Sequence, residues 1–322
     1  ADGNAFLSNM RTFEMADFGG VFLTSPPVDA GDAVWPGINA YVQWFIPVNP
    51  RPVSILFVHG GGGQGADFVR TPDGRRGWVH RFLQAGYATY VLDRPGHGRS
   101  AWNENVLGPA TPTADYGMLY PRFVEPAKHD LWQGASKHNR WPSDPLAGDR
   151  FMASQGPMAT SLGASQRHVE AIAEQLLDLT GPTVVVSHSM GGPCGWALSA
   201  VGGQRVAAVL AAEPLGYSGM VHPLGTFNNG LAPEAYQGLH DPFAKPVAIV
   251  TGEATWMREA NRRAAEYVRA RTPVFEHIAL EEHGITGNGH MLMAESNSDE
   301  IADLMIRWLD ANVSCGLAQA RA

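Results

Sequence analysis

The sequence predicts an α/β fold, a mostly parallel twisted sheet with helices on both faces, and three observations carry that prediction. Short apolar runs alternate with longer segments of helical period along most of the chain, the pattern of strand–helix–strand units. The runs around Val53–Val58, Val184–Val186 and Val206–Ala212 are nearly unbroken in apolar residues, as strands covered on both faces must be. Four residues of chemical interest, His59, Ser189, Glu213 and His290, stand at or after predicted strand ends. In open α/β sheets, function gathers at that edge.

Taken in order, residues 1–16 read as an irregular arm. Phe18–Thr24 and Tyr41–Ile46 read as two opening strands separated by Pro, Gly and Asp. The partial alternation in Tyr41-Val42-Gln43-Trp44-Phe45 suits an antiparallel strand with one wetter face. Pro47, which cannot donate to a ladder, ends it. Pro52–Val58 is a central strand running into His59-Gly60-Gly61-Gly62-Gly63. Trp78–Ala85 is a short helix closed by Gly86, Tyr87–Asp93 a strand, and Arg94–Ser100 the loop that follows. From Ala101 to about Ser165 prolines and aromatics recur and neither period lasts. A structureless loop of that length is uncommon in a compact domain, and the aromatics oppose disorder, so 101–165 is expected to pack over the end of the sheet.

Gln166–Leu179 carries Val169, Ile172, Ala173, Leu176 and Leu177 on one helical stripe. Thr183–Ser187 is a strand, Met190–Val201 a helix, and Val206–Ala212 a strand ending in Glu213-Pro214. Residues 215–245 form a second irregular insertion. Pro246–Thr251 and Val274–Leu280 are the last strands, with Trp256–Arg271 helical between them. Ser298–Asn312 is the closing helix, with Ser298 as its cap. The chain, 1–322, thus reads as one domain with two cap insertions, and it contains no internal repeat.

Composition narrows the function classes. The 322 residues are 44% hydrophobic and 17% charged, a globular balance. A formal net charge of −8 argues against a nucleic-acid or anionic-membrane partner. No apolar run approaches the roughly 20 residues of a membrane span. Cys194 and Cys315 show no ligand spacing, and Cys194 reads as a small apolar residue of its helix rather than half of a disulfide. The chain begins at Ala1-Asp2 without a methionine, as either a processed mature protein or a trimmed chain would, and a periplasmic or secreted location is expected over a cytoplasmic one. Nothing in the sequence decides between a monomer and a homodimer.

The chemistry centres on Ser187-His188-Ser189-Met190-Gly191, a small-x-Ser-x-Gly turn between strand and helix with Ser187 where glycine is most frequent. A serine hydroxyl needs a base to take its proton and a carboxylate to orient that base. Ser189 is therefore the candidate nucleophile. Ser187 still lies on the strand, and His188 is expected to pack. His290, in Gly287-Asn288-Gly289-His290-Met291, is the candidate base, with His283 its rival. Two carboxylates follow strands, Glu213 and Glu253. Glu213 ends a wholly apolar run, where an unpaired carboxylate is costly, and a histidine partner would explain it. It is preferred, with Glu253 the alternative. The amides of Gly61 and Met190 are the candidate oxyanion donors, with His59 a structural hydrogen-bonding residue. No GxxxxGK[ST] and no metal-ligand spacing occurs, and Gly96-His97-Gly98 lacks the GxGxxG continuation, so neither cofactor nor metal is expected.

With His59-Gly60-Gly61-Gly62, Asp93-Arg94-Pro95-Gly96-His97-Gly98-Arg99-Ser100, Ser187–Gly191 and Gly289-His290, the chain resembles the α/β-hydrolase fold superfamily over about residues 40–312. Thr71-Pro72-Asp73-Gly74-Arg75, Gly77-Trp78 and Gly86-Tyr87-Ala88-Thr89-Tyr90-Val91 are similar to a small group of bacterial esterases. That resemblance implies a glutamate acid after the sixth strand, which falls on Glu213. The position a few residues past Gly252, where enzymes of this plan commonly carry an Asp, holds Thr255. Relatives in the group can carry cysteines where Gly61 and Gly62 stand, so no stiffening disulfide can form in this loop. The resemblance implies a serine carboxylic-ester hydrolase acting through an acyl-enzyme on a small or aromatic/apolar ester or lactone, with that small molecule as partner and a homodimer left open. A ligand-binding protein without turnover, or a C–C hydrolase or lyase, are the alternatives on the same fold.

Overall fold

The computed structural model describes residues 13–216 and 239–313. Eight strands form one sheet: β1 (Met15–Thr24), β2 (Asn39–Pro47), β3 (Ser54–Val58), β4 (Thr89–Asp93), β5 (Thr183–His188), β6 (Val206–Ala212), β7 (Val247–Thr251) and β8 (Phe275–Ala279). Their spatial order is β1-β2-β4-β3-β5-β6-β7-β8. The pairs β1–β2 and β2–β4 are antiparallel. Every other neighbouring pair is parallel. Among the helices of the described residues are α1 (Trp78–Gln84), α2 (Leu162–Thr180), α3 (Gly191–Gly202), α4 (Arg258–Arg269) and α5 (Ser298–Asn312), which flank the sheet.

Both faces of the sheet are covered because successive strand residues point to opposite sides. Ile55, Phe57, Val184 and Val186 pack into one core with Trp78 of α1 and Met305 of α5. Leu56, Val58 and Val185 pack into a second core with Ile172 of α2, Trp196 of α3 and Ala264 of α4. All residues of β3, β5 and β7 are buried. Full burial of each such Val, Ile or Leu side chain contributes about 1.5–3 kcal/mol, which explains the unbroken apolar runs.

Several expected boundaries move. β1 begins at Met15, three residues before Phe18, because its pairing with β2 runs on to Met15 opposite Pro47. The helix expected from Gln166 begins at Leu162, where the Ser161 hydroxyl caps it by accepting the Ala164 N–H at 3.1 Å. Ser298 does not cap the last helix. Asn297 holds the N-cap position, and the Ser298 hydroxyl instead accepts from Arg75 Nη1 at 3.2 Å.

Between β4 and α2 the chain makes short turns of helix, Tyr116–Leu119, Tyr120–Val124, Pro126–His129 and Ala147–Ala153. Pro121 and Pro126 sit in the first turns of two of these, where the missing N–H costs nothing. The second insertion expected at 215–245 falls largely outside the described residues, as do most of the expected arm 1–16 and Cys315. Cys194 is a buried thiol.

Candidate active site

Ser189 lies between the end of β5 and the start of α3 with φ +51°, a left-handed conformation that a serine rarely adopts. Its N–H donates to Ala212 O at 3.2 Å. Its carbonyl accepts from Gly192 and Leu215 at 2.9 and 3.0 Å. The turn needs small neighbours. A Cβ on Gly191 would sit 2.5 Å from His59 O, and one on Gly60 would sit 2.7 Å from the Ser189 Cβ. Ser187, in place of the usual glycine, is accommodated from the other side. It faces Gly195 of α3, whose added Cβ would lie 3.3 Å from the Ser187 Cβ.

Ser189, His290 and Glu213 come together in one line. Ser189 Oγ is 2.8 Å from His290 Nε2, and His290 Nδ1 is 3.1 Å from Glu213 Oε1. Glu213 and His290 are buried, and Ser189 is 7% exposed. Glu213 is also left-handed, at φ +50°. Backbone strain of this kind persists only where the surroundings over-determine it. Here the Glu213 N–H donates to Val250 O at 2.8 Å, and its Oε2 accepts the Gly252 N–H at 3.2 Å. Burial pushes the Glu213 carboxyl well above the usual carboxylate range, while the Thr255 hydroxyl and the Gly252 amide draw it back down.

The rival residues are engaged elsewhere. Glu253 Oε1 accepts the Gly287 N–H at 3.1 Å, and its Oε2 lies 3.6 Å from Lys137 Nζ. His283 sits on the turn Leu280–His283, its Nε2 4.0 Å from Glu276 Oε1.

The His290 loop is held from three sides. The Gly289 N–H donates to both oxygens of buried Glu295, at 3.0 and 3.1 Å. Asn288 Nδ2 and His138 Nε2 reach the same carboxylate at 3.0 and 2.6 Å. His188 Nε2 lies 2.9 Å from the His290 carbonyl oxygen. Burial, then the neighbouring His290, keep the His188 pKa well below the imidazole range, so its ring is neutral and Nε2–H is the donor. Phe123 stacks on the His290 ring at 5.1 Å and 22°, and Trp256 meets it edge-on at 5.7 Å.

His59 packs beneath the glycine loop. Its Nε2 accepts the Arg94 N–H at 2.9 Å, which leaves Nδ1–H to donate to Gly60 O at 3.1 Å. Burial and then the Arg94 charge hold its pKa well below the ordinary value. Gly61 has φ +37°, and Met190 is the N-cap of α3. Both line a cavity of ≈ 100 Å³ with Ser189, walled by Met118, Leu119, Phe123, Leu215 and Trp256. Among the described residues neither the Gly61 nor the Met190 N–H donates to a backbone carbonyl. A smaller cavity of ≈ 50 Å³ lies over Ser189 and His290. It shares Asp67, Phe151 and Met291 with an open cleft of ≈ 460 Å³ that does not reach Ser189.

Sequence reasoning missed Phe123, Trp256, Arg94 and the anchoring hydrogen bond of His188. Among the described residues no three His, Cys, Asp or Glu side chains are grouped to hold a metal. Among them, too, no helix is long and apolar enough to cross a membrane.

Comparison with known proteins adds to this geometry. Residues 53–234 match a family model described as the alpha/beta hydrolase fold. A probable secreted lipase, phiG, of a fungal species (strain ATCC 74256) is 29% identical over 341 residues, covering 89% of this chain and 93% of its own. Among solved structures, a novel bacterial esterase determined at atomic resolution aligns with a TM-score of 0.67 at 22% identity, over 94% of this chain and 98% of that chain.

Proposed function

The chain belongs to the α/β hydrolase family, and on that premise we propose that it is a serine carboxylic-ester hydrolase working through a covalent acyl-enzyme. The observation that carries this reading is the unbroken line from Ser189 Oγ to His290 Nε2 at 2.8 Å and from His290 Nδ1 to Glu213 Oε1 at 3.1 Å. Glu213 accepts the Nδ1–H, which fixes the tautomer and leaves the Nε2 lone pair facing the serine. Ser189 attacks the ester carbonyl as His290 takes its proton. The imidazolium between Ser189 and Glu213 then returns that proton to the leaving alcohol. Water repeats the sequence in reverse and frees the acid. The N–H groups of Gly61 and Met190 meet the oxyanion, each contributing about 3–4 kcal/mol to the transition state.

The substrate is a small or aromatic/apolar ester or lactone. The apolar walls of the ≈ 100 Å³ cavity beside Ser189 support this, Phe123 and Trp256 supplying aromatic faces. The probable secreted lipase to which the chain is similar supports ester hydrolysis.

Incubation with an aryl organophosphonate, followed by intact mass and peptide mapping, tests the reading. A single adduct on Ser189, lost in Ser189→Ala, is expected. An unlabelled protein that also leaves a panel of short-acyl, long-acyl, aryl and lactone esters untouched would mark a binding protein instead.

A further inference from the structure

Arg94, directly after β4, is 1% exposed, and among the described residues no carboxylate pairs with its guanidinium. A charge removed from water without a counter-ion is costly, so its surroundings must reward it. Its donors converge on the glycine loop. Nε donates to His59 O at 3.0 Å and Nη2 to Gly61 O at 2.8 Å. Nη1 reaches the Ser165 hydroxyl of α2 at 2.6 Å, which anchors the guanidinium to the scaffold.

The carbonyl between these two is also held. Gly60 O accepts the Gly63 N–H at 3.0 Å and lies 3.1 Å from His59 Nδ1. All three carbonyls from His59 to Gly61 are therefore fixed. In a planar trans peptide the N–H points away from the preceding carbonyl. Fixing Gly60 O thus fixes the direction of the Gly61 N–H. The loop has no side chains of its own to hold it, and glycine is the residue with the most conformational freedom to lose.

We propose that Arg94 is a positioning residue for oxyanion stabilisation, a buried clamp on the peptides either side of Gly60–Gly61 that, together with the His59 and Gly63 bonds to Gly60 O, keeps the Gly61 N–H in its productive orientation. This rests on the reading of Ser189 as nucleophile. The clamp acts on the transition state rather than on substrate binding, because the Gly61 N–H meets charge that develops only as the serine attacks.

The test compares wild type with Arg94→Met and Arg94→Lys. It reads thermal unfolding, kcat and KM on the best ester, and inhibition by an aryl boronic acid, which forms a tetrahedral adduct on the serine. Inhibition by the product alcohol is the ground-state control. Folded Arg94→Met is expected to lose about 10²-fold in kcat with KM within about 3-fold. The boronic acid should weaken in proportion while the alcohol does not. Arg94→Lys, which can reach one carbonyl but not both, should fall between, and it decides the question alone if Arg94→Met does not fold. Ser165→Ala leaves both carbonyl contacts in place and should weaken the boronic acid less than either. Unchanged boronic acid affinity in a folded Arg94 variant, or equal weakening of boronic acid and alcohol, overturns the proposal. A wild type that neither cleaves esters nor binds the boronic acid overturns the Ser189 reading as well, a result distinct from an active wild type with indifferent Arg94 variants.

Discussion

His188, the residue before Ser189, donates its Nε2–H to the backbone carbonyl of His290 at 2.9 Å. The strand end that carries the candidate nucleophile therefore also holds the loop that carries the candidate base. The two rings lie 4.7 Å apart. His188→Phe keeps a ring but removes one of two donors to a buried carbonyl, the Leu292 N–H at 3.0 Å remaining, which costs about 0.5–1.5 kcal/mol. The expected outcome is a lower unfolding midpoint and a fall in kcat of about 10-fold with little change in KM, since His290 loses an anchor rather than the substrate a contact. A variant with wild-type kcat would leave His188 as packing alone.

Glu213 and Glu253 can be separated by paired substitutions. Only Glu213 reaches His290, at 3.1 Å, while Glu253 holds the Gly287 amide. Glu213→Gln keeps the shape but offers the wrong group to Nδ1–H, and about 10³–10⁴-fold of kcat should be lost. Glu253→Gln should stay within a few-fold of wild type. Steady-state kinetics on one ester decides it, and the reverse ranking would move the acid to Glu253.

The strands and the Ser189–His290–Glu213 line were legible in the sequence because each rests on local pattern. Continuous apolar runs mark doubly covered strands, and a carboxylate ending such a run, as Glu213 does after Ala211-Ala212, needs a partner. Helix starts were less legible where two capping residues adjoin. Asn297 and Ser298 are both good caps; Asn297 takes the N-cap position, but its side chain bonds Asn288 and the Ser298 hydroxyl accepts from Arg75, so neither side chain caps the helix. Phe123 carried no local signal. It meets His290 from an insertion whose path depends on tertiary packing. Arg94 was visible only as part of a loop motif, since its worth lies in three contacts made across the fold.

Stability should fall in mild acid. His59 and His188 have pKa values well below the ordinary 6.5, His97 is lowered to about 3, and His80 and His168 to about 4, in each case chiefly by burial. Between about pH 5 and 6.5 these five histidines take up protons in the unfolded chain but not in the folded one. The unfolded state then binds more protons, so stability drops as pH falls through that window. Asp67, pushed up to about 7, opposes this because it is protonated only in the folded state there. The histidines outnumber the carboxyl groups that oppose them. Unfolding midpoints measured from pH 7 to 5 should decline, and more steeply in Asp67→Asn. A midpoint that rises toward pH 5 would contradict the assignment.

Phe123 touches both the chemistry and the candidate substrate space. Its ring stacks on His290 at 5.1 Å and lines both cavities that contain Ser189. Phe123→Ala removes a stacking partner, worth about 0.5–1.5 kcal/mol, and opens the His290 ring to water. That predicts up to about a 10-fold loss of kcat on every ester. Aromatic esters should lose more, through KM, because the same ring walls the candidate substrate cavity. Phe123→Leu restores apolar volume without the aromatic face. It should therefore recover KM for alkyl esters while aryl esters remain impaired. A comparison of acetate esters of alkyl and aryl alcohols across the two variants separates the effects. An equal loss on both substrate classes in Phe123→Leu would confine Phe123 to holding His290.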